Sequence, residues 1–188
     1  MDVLLVALHV LFLTPVFVRL ARGRARRSHR RVSADLSTVK KPQLVLHGTG
    51  LLLLWAGVAV ALVDGQVARR PTVRGFVGAT LLLFAVALMG RSMAALRSWR
   101  LLPKIDADHQ LCTTGPYAFV RHPMYLALDV LAVGSAVWVP TVPVVTGALL
   151  LIVGGELRAR LEEQALAQAF GERYRDYAKR VPRRVLFG

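Results

Sequence analysis

The sequence has little cysteine and no phosphate-binding glycine motif. Cys112 is the only cysteine among 188 residues, which excludes a disulfide within the chain and a cluster of thiolate metal ligands. No Gly-x-Gly-x-x-Gly follows a strand-like segment, so the dinucleotide-binding fold of many soluble cofactor enzymes is not predicted. Asp106, Asp108 and His109 offer too few ligands in one loop to predict a metal site.

Acidic residues are scarce, with 11 Asp and Glu against 25 Lys and Arg, and the formal net charge is +14. In isolation such an excess is compatible with nucleic-acid binding. Here the basic residues flank long apolar runs, where positive charge orients membrane helices and attracts anionic headgroups. We therefore predict the lipid bilayer as the partner of these charges, and no nucleic acid.

Hydrophobic residues make up 55% of the chain, in blocks of the ~20 residues that a transmembrane helix needs. The blocks predict spans at 3–20, 44–63 and 73–96, and an apolar stretch at 125–153 that Pro140 and Pro143 interrupt. The last stretch is too long for one span and is interpreted as a helical hairpin. The predicted fold is an all-α integral membrane protein with about five transmembrane helices, the last two a hairpin, and a cytoplasmic C-terminal helix.

The chain is predicted to form a single membrane domain in two parts. The parts are 1–96, with three spans and a basic loop at 19–42, and 97–188, with a loop at 97–124, the hairpin at 125–155 and the C-terminal helix at 156–184. The first span is interpreted as retained, because Asp2 stands where a signal peptide would be basic. The positive-inside rule places loop 19–42 and the basic tail in the cytoplasm and the N-terminus outside. We expect a bacterial cytoplasmic membrane.

Two ionisable residues in the predicted spans have alternative roles. Asp129 either faces a polar interior, as charged groups inside spans usually do, or lies near a helix N-terminus that favours a carboxylate. His47, at the start of the second span, either packs helices or faces a cofactor pocket. Neighbouring Gly48 and Gly50 permit close helix packing.

A short polar loop precedes the hairpin and reads Gly115-Pro116-Tyr117-Ala118-Phe119-Val120-Arg121-His122-Pro123-Met124-Tyr125. Its two X-Pro pairs restrict the backbone and predict a stiff loop at a membrane edge. One interpretation of its tyrosines and arginine is an interfacial anchor for helix ends.

Two motifs on either side of the hairpin resemble the signature of isoprenylcysteine carboxyl methyltransferases and their bacterial relatives. The first is His109-x-Leu111-x-x-x-Gly115-x-Tyr117-x-x-x-Arg121-His122-Pro123-x-Tyr125. The second is Glu162-Glu163-x-x-Leu166-x-x-x-Phe170-Gly171-x-x-Tyr174-x-x-Tyr177, followed by Arg180-Val181-Pro182. The resemblance implies an integral membrane enzyme that binds S-adenosylmethionine and methylates a lipophilic acceptor.

The resemblance also implies roles for single residues. Arg97 and Glu162 match the positions closest to the reacting group and are the catalytic candidates. The cofactor-contacting candidates are His109, Leu111, Gly115, Tyr117, His122, Pro123, Tyr125 and Glu163. Side-chain chemistry adds Arg121, which can anchor a carboxylate together with His122, and Tyr174, which like Tyr117 and Tyr125 can stack on adenine or face the sulfonium. Either glutamate can accept from ribose hydroxyls.

Three functions remain open from the sequence. The first is a membrane methyltransferase, most simply for a carboxylate on an isoprenylated substrate, alternatively for a phospholipid amine or a small thiol. The second is an NADPH-dependent reductase like the sterol reductases, and the third is a non-catalytic membrane protein. Binding of S-adenosylhomocysteine, of NADPH or of neither would separate them. The sequence does not predict an oligomeric state.

Overall fold

The computed structural model describes residues 1–25, 41–67, 72–96 and 110–184. Arg97 and His109, together with most of the basic loop 19–42, therefore lie outside the described residues. The described helices are α1 (Asp2–Ala25), α2 (Lys41–Val63), α3 (Val73–Ala95), α4 (Pro123–Trp138), α5 (Val142–Phe170) and α6 (Glu172–Arg180), with a 3-10 turn at Gly115–Ala118.

Four of these helices are long and apolar enough to cross a membrane, at Asp2–Ala21, Pro42–Val63, Val73–Ala95 and Val142–Phe170. The fifth apolar helix, α4, is shorter, with 16 residues. The predicted all-α membrane fold is confirmed, with four or five spanning helices. The cytoplasmic position of the C-terminus stays a prediction.

Glycines bring α2 and α5 into backbone contact. A Cβ added to Gly50 would lie 2.4 Å from the backbone nitrogen of Leu151, and one added to Gly147 would lie 2.4 Å from that of Leu54. Small residues at such positions let membrane helices approach closely. The packing role predicted for Gly50 fits this contact, whereas Gly48 is exposed and a Cβ there would meet nothing within 4 Å.

The C-terminal region differs from the prediction at residue 156. Residues 142–170 form one continuous helix of 29 residues, so the second hairpin arm and the first part of the helix predicted at 156–184 are a single element. Gly154 and Gly155 do not end the helix, because they pack against His47 of α2. The change from apolar to charged residues marks the exit from the apolar layer. The helix ends at Gly171, whose φ of +54° strains any other L-residue.

Candidate active site

The polar loop begins with a glycine turn. Gly115 has a φ of +61° and Pro116 follows it as the first residues of the 3-10 turn, which buries the side chain of Tyr117. Pro123 is the first residue of α4, a position that suits proline because the missing N–H would have no helical partner there. The loop therefore turns His122 and Tyr125 toward α5.

Glu162 of α5 is joined to the start of α4. The hydroxyl of Tyr125 donates to Glu162 Oε1 at 2.5 Å, and His122 Nδ1 lies 3.8 Å from Glu162 Oε2. The Glu162 side chain is 27% exposed, so Oε2 is open to a further donor. A carboxylate held on one oxygen and open on the other can accept from a ligand or take a proton.

Glu163 is held on both oxygens. Arg121 Nε donates to Oε1 at 2.7 Å, and Arg183 Nε donates to Oε2 at 2.8 Å. His122 Nε2 lies 3.5 Å from Oε1. With two guanidinium partners, this carboxylate orients cations around it, and Glu162 is the better placed of the pair to accept from ribose hydroxyls.

The extended residues after α6 pair with the loop through the backbone. Arg121 N donates to Pro182 O at 2.9 Å, and His122 N donates to Arg183 O at 3.2 Å. The Arg121 guanidinium also donates to Ala178 O at 2.8 Å and to Val181 O. The segment 181–184, which has no regular secondary structure and is called the tail strand below, is therefore part of the wall around His122.

Three tyrosines line the same region with protonated hydroxyls. Tyr177 Oη donates to Tyr117 O at 2.6 Å, and the rings of Tyr174 and Tyr177 meet edge to face at 6.2 Å. Burial raises the pKa of Tyr117 and of Tyr174, and it raises the pKa of Tyr177 to about 12. All three hydroxyls therefore remain hydrogen-bond donors at neutral pH.

Buried polar atoms without partners identify where a polar ligand would fit. Within the described ranges Tyr117 Oη and Tyr174 Oη are buried without a close hydrogen-bond partner, and the nearest partner of His122 Nε2 is Glu163 Oε1 at 3.5 Å. Buried polar groups are rarely left unsatisfied in folded proteins. An open cleft of about 580 Å³ also lies against Tyr174, lined by Arg160, Glu163, Gln164, Ala167, Tyr174 and Arg183. The cleft therefore offers two guanidinium groups, one carboxylate and one aromatic ring to a ligand.

The predicted cofactor candidates fall into three groups in the structure. Brought together around the α4–α5 junction are Tyr117, Arg121, His122, Tyr125, Glu162, Glu163 and Tyr174. Gly115 and Pro123 shape the loop, and Leu111 is half-buried in the segment that leads to it. Arg97 and His109 lie outside the described residues, so their roles stay predictions.

A buried ion cluster next to Tyr125 was not predicted. Arg184 is 0% exposed and donates to Asp129 Oδ2 at 2.5 Å and to Glu156 Oε2 at 3.0 Å. Asp129 thus faces a polar interior, the first of the two alternatives. The isolated aspartate in an apolar span indicated that a cationic partner exists, but Arg184 reads in the sequence as one charge of an exposed basic tail.

Arg158 is a second residue that the sequence did not single out. Its guanidinium carbon lies 5.8 Å from the centroid of the Tyr125 ring, a cation–π distance. Arg121, Arg160, Arg183 and Arg184 each contact a carboxylate, whereas Arg158 has no ion pair within the described part of the chain. The feature of the sequence that could have identified Arg158 is its position one helical turn before Glu162.

Comparison with known proteins agrees with the motifs. A family model described as phospholipid methyltransferase matches residues 73–173. The chain is 34% identical to protein-S-isoprenylcysteine O-methyltransferase B of Arabidopsis thaliana over 115 residues, which are 58% of this chain and 58% of that protein. It is 36% identical over 80 residues to a protein-S-isoprenylcysteine O-methyltransferase of Schizosaccharomyces pombe, covering 42% of this chain and 34% of that protein.

A third relative is the protein-S-isoprenylcysteine O-methyltransferase of Mus musculus, 40% identical over 76 residues that cover 39% of this chain and 26% of that protein. The matched regions thus span little more than half of the curated relatives at most. These names confirm the resemblance to isoprenylcysteine methyltransferases that the two motifs carry. Because the matched family model covers more than half of the sequence, the chain belongs to the phospholipid methyltransferase family.

Proposed function

We propose that the protein is a membrane methyltransferase that uses S-adenosylmethionine and methylates a carboxylate on a lipophilic, isoprenylcysteine-like acceptor. The observation that carries the proposal is the meeting of both motifs at one site, where Tyr125 binds Glu162 and the hydroxyls of Tyr117 and Tyr174 are buried without a close partner. The site lies at the end of an apolar helix bundle, where a water-soluble donor and a lipid-soluble acceptor can meet.

The chain's own residues would hold the donor through polar and aromatic contacts. Glu162 Oε2 is placed to accept from ribose hydroxyls, and the rings of Tyr117 and Tyr174 offer faces for adenine or for a sulfonium, a contact that contributes ~0.5–2 kcal/mol. When bound, the donor supplies a methyl group already activated by positive sulfur. The protein then has to position the acceptor and exclude water.

Arg158 supports an anionic acceptor. Among the described residues the Arg158 guanidinium has no carboxylate partner, and it lies beside Tyr125. Such a group can orient a carboxylate through two parallel hydrogen bonds. A carboxylate is ionised at neutral pH, so its methylation needs no general base. The relatives named above are O-methyltransferases of protein S-isoprenylcysteine, which is the same acceptor chemistry. Arg97 stays a candidate for the same task.

A second candidate is an amine acceptor, as in phospholipid N-methylation. The open oxygen of Glu162 favours it, since an amine must lose a proton and Glu162 is the carboxylate available to take it. The description of the matching family names phospholipids. A carboxylate acceptor requires a cationic partner at the site, whereas an amine acceptor requires a carboxylate that can take its proton.

Methyl transfer from labelled donor to matched lipophilic carboxylates, amines and thiols separates the candidates. For a carboxylate acceptor, Arg97→Ala or Arg158→Gln should lower the single-turnover rate by about 10²–10³, the effect of losing one electrostatic partner, while Glu162→Gln matters less. For an amine, Glu162→Gln becomes the damaging change. Arg175→Gln on exposed α6 is the charge-matched control. Absence of S-adenosylhomocysteine binding to wild type would refute the proposed function, and NADPH binding would indicate a reductase.

We also propose that the site faces the cytoplasm of a bacterial cell. The end of α1 and the start of α2 lie near the site, because Arg19 donates to Met93 O and Leu96 O and the His47 ring lies 6.0 Å from the Tyr125 ring. The sequence between these two helices is rich in arginine. Positive charge accumulates on cytoplasmic loops. The donor would then enter from the cytoplasm and the acceptor sideways from the bilayer.

A further inference from the structure

We propose that Arg184 and Asp129 are positioning residues of the donor site: their buried ion pair pulls the tail strand into the bundle, and the tail strand in turn sets the loop that carries Arg121 and His122. This inference rests on the proposed function, because it concerns the affinity for the methyl donor. The Arg184 guanidinium carbon lies 5.9 Å from the centroid of the Tyr125 ring, so the anchor also borders one of the predicted donor contacts.

The residue that anchors the tail strand, Arg184, is fully buried. Arg184 is 0% exposed, and the side chain of Asp129 is 4% exposed. The two guanidinium contacts reach different helices, Asp129 on α4 and Glu156 on α5. A buried arginine requires such partners because an unpaired charge in an apolar interior is strongly unfavourable. The position of residue 184 is therefore fixed relative to the hairpin.

The residues just before Arg184 transmit that position to the loop. Pro182 O and Arg183 O accept the backbone N–H groups of Arg121 and His122. Arg183 adds a side-chain link, donating to Glu163 at 2.8 Å and to Glu156 at 2.9 Å. Arg121 shares Glu163 with Arg183. The backbone of His122, whose Nε2 lies 3.5 Å from Glu163 Oε1, is thus held by the tail strand.

The cluster allows the positional role to be separated from the cost of a buried charge. Glu156 keeps Arg160 at 2.8 Å and Arg183 at 2.9 Å when Arg184 is replaced. Asp129 has no other ion-pair partner in the part of the chain that the structure describes, so Arg184→Met leaves it buried and unpaired. Adding Asp129→Asn removes that charge with little change of shape. The double variant therefore restores an uncharged interior without restoring the anchor.

The experiment measures S-adenosylhomocysteine binding by calorimetry and thermal unfolding by fluorescence, both on detergent-purified full-length protein. Arg184→Met should lower both the unfolding temperature and the donor-product affinity. The double variant Arg184→Met/Asp129→Asn should recover much of the unfolding temperature but remain about 10- to 100-fold weaker in affinity, the effect that supporting partners have on ligand positions in metal sites. Arg180→Met, on the exposed face of α6, is the matched control and should change neither.

If the double variant bound S-adenosylhomocysteine with wild-type affinity, the proposal would be wrong. The ion pair of Arg184 and Asp129 would then contribute to stability only. Should Arg184→Met fail to fold, the double variant and Arg184→Lys decide, and Lys should bind more weakly than wild type because one ammonium cannot bridge two helices as a guanidinium does. If wild type itself does not bind S-adenosylhomocysteine, the proposed function fails and the inference with it. If wild type binds and all variants bind equally, only the inference fails.

Discussion

Gly50→Ala tests whether the contact between α2 and α5 holds the site in place. The new Cβ would lie 2.4 Å from Leu151 N, 2.8 Å from Leu150 C and 2.9 Å from Leu151 Cα. These are backbone atoms, so no side-chain rotation can relieve the overlap. Ordinary contact begins at 3.4 Å, and the helices must therefore separate by about 1 Å. Overpacking of this kind costs about 1–3 kcal/mol.

The displacement should also reach the site. α5 continues without a break from Leu151 to Glu162, a distance of about 17 Å at 1.5 Å per residue, so the acidic pair moves with the helix. A misplacement of about 1 Å can lower a rate by about 100-fold. We therefore expect Gly50→Ala to lower both the unfolding temperature and the methyl-transfer rate.

Gly48→Ala is the matched control for this prediction. It adds the same methyl group to the same helix two residues earlier, where nothing lies within 4 Å. Alanine is the better helix former by up to about 1 kcal/mol, so this variant should be as stable as wild type or more so. The measurements are thermal unfolding in detergent and single-turnover methyl transfer. Equal stability and rate in the two variants would refute backbone contact between α2 and α5.

Three further predictions concern two residues that stabilise the site and the orientation of the chain in the membrane. Gly171→Ala should destabilise the protein by about 1–3 kcal/mol, because φ +54° and ψ −129° suit only glycine; unchanged thermal unfolding would contradict this. Tyr177→Phe should cost about 1 kcal/mol near neutral pH by removing the hydrogen bond to Tyr117 O. Burial raises the pKa of Tyr177 to about 12, so above its ordinary value the unfolded chain loses the proton first, and the advantage of tyrosine in denaturant titrations should shrink toward pH 12. Cys112 should react with an impermeant maleimide only after right-side-out vesicles are permeabilised, and ready labelling of sealed vesicles would reverse the proposed orientation.

The sequence predicted those features of the fold that depend on the lengths of the apolar segments. Apolar blocks located the spans, and Pro140 and Pro143 located the hairpin turn that separates α4 from α5. It placed a helix start at residue 156 because charge begins there, although a helix that leaves the bilayer can change composition without ending. The local composition of a helix reflects the environment around it. The residue at which the helix ends is determined instead by backbone conformation, as at Gly171.

The candidate site was predictable where a motif fixed residue spacing, and less so where distant segments meet. The meeting of Tyr125 with Glu162 follows the two motifs. The sequence could not show that Glu163 is occupied by Arg121 and Arg183, because Arg183 lies just beyond the last motif residue, Pro182, in a tail with several arginines. The burial of Arg184 could not be predicted for the same reason, because the sequence does not distinguish it from the other arginines of the basic tail.

The shortness of α4 affects how deep the site lies in the bilayer. Its 16 residues rise about 24 Å, less than the ~30 Å hydrocarbon layer. Its far end packs against the start of α3, since a Cβ on Gly78 would meet Trp138 at 2.7 Å. If that end lies at one face of the hydrocarbon layer, the end that carries His122 and Tyr125 falls about 6 Å short of the opposite face. A prenyl or acyl tail could then stay among lipid chains while its head group reaches the tyrosines, and membrane thickness would become a variable of the reaction rate.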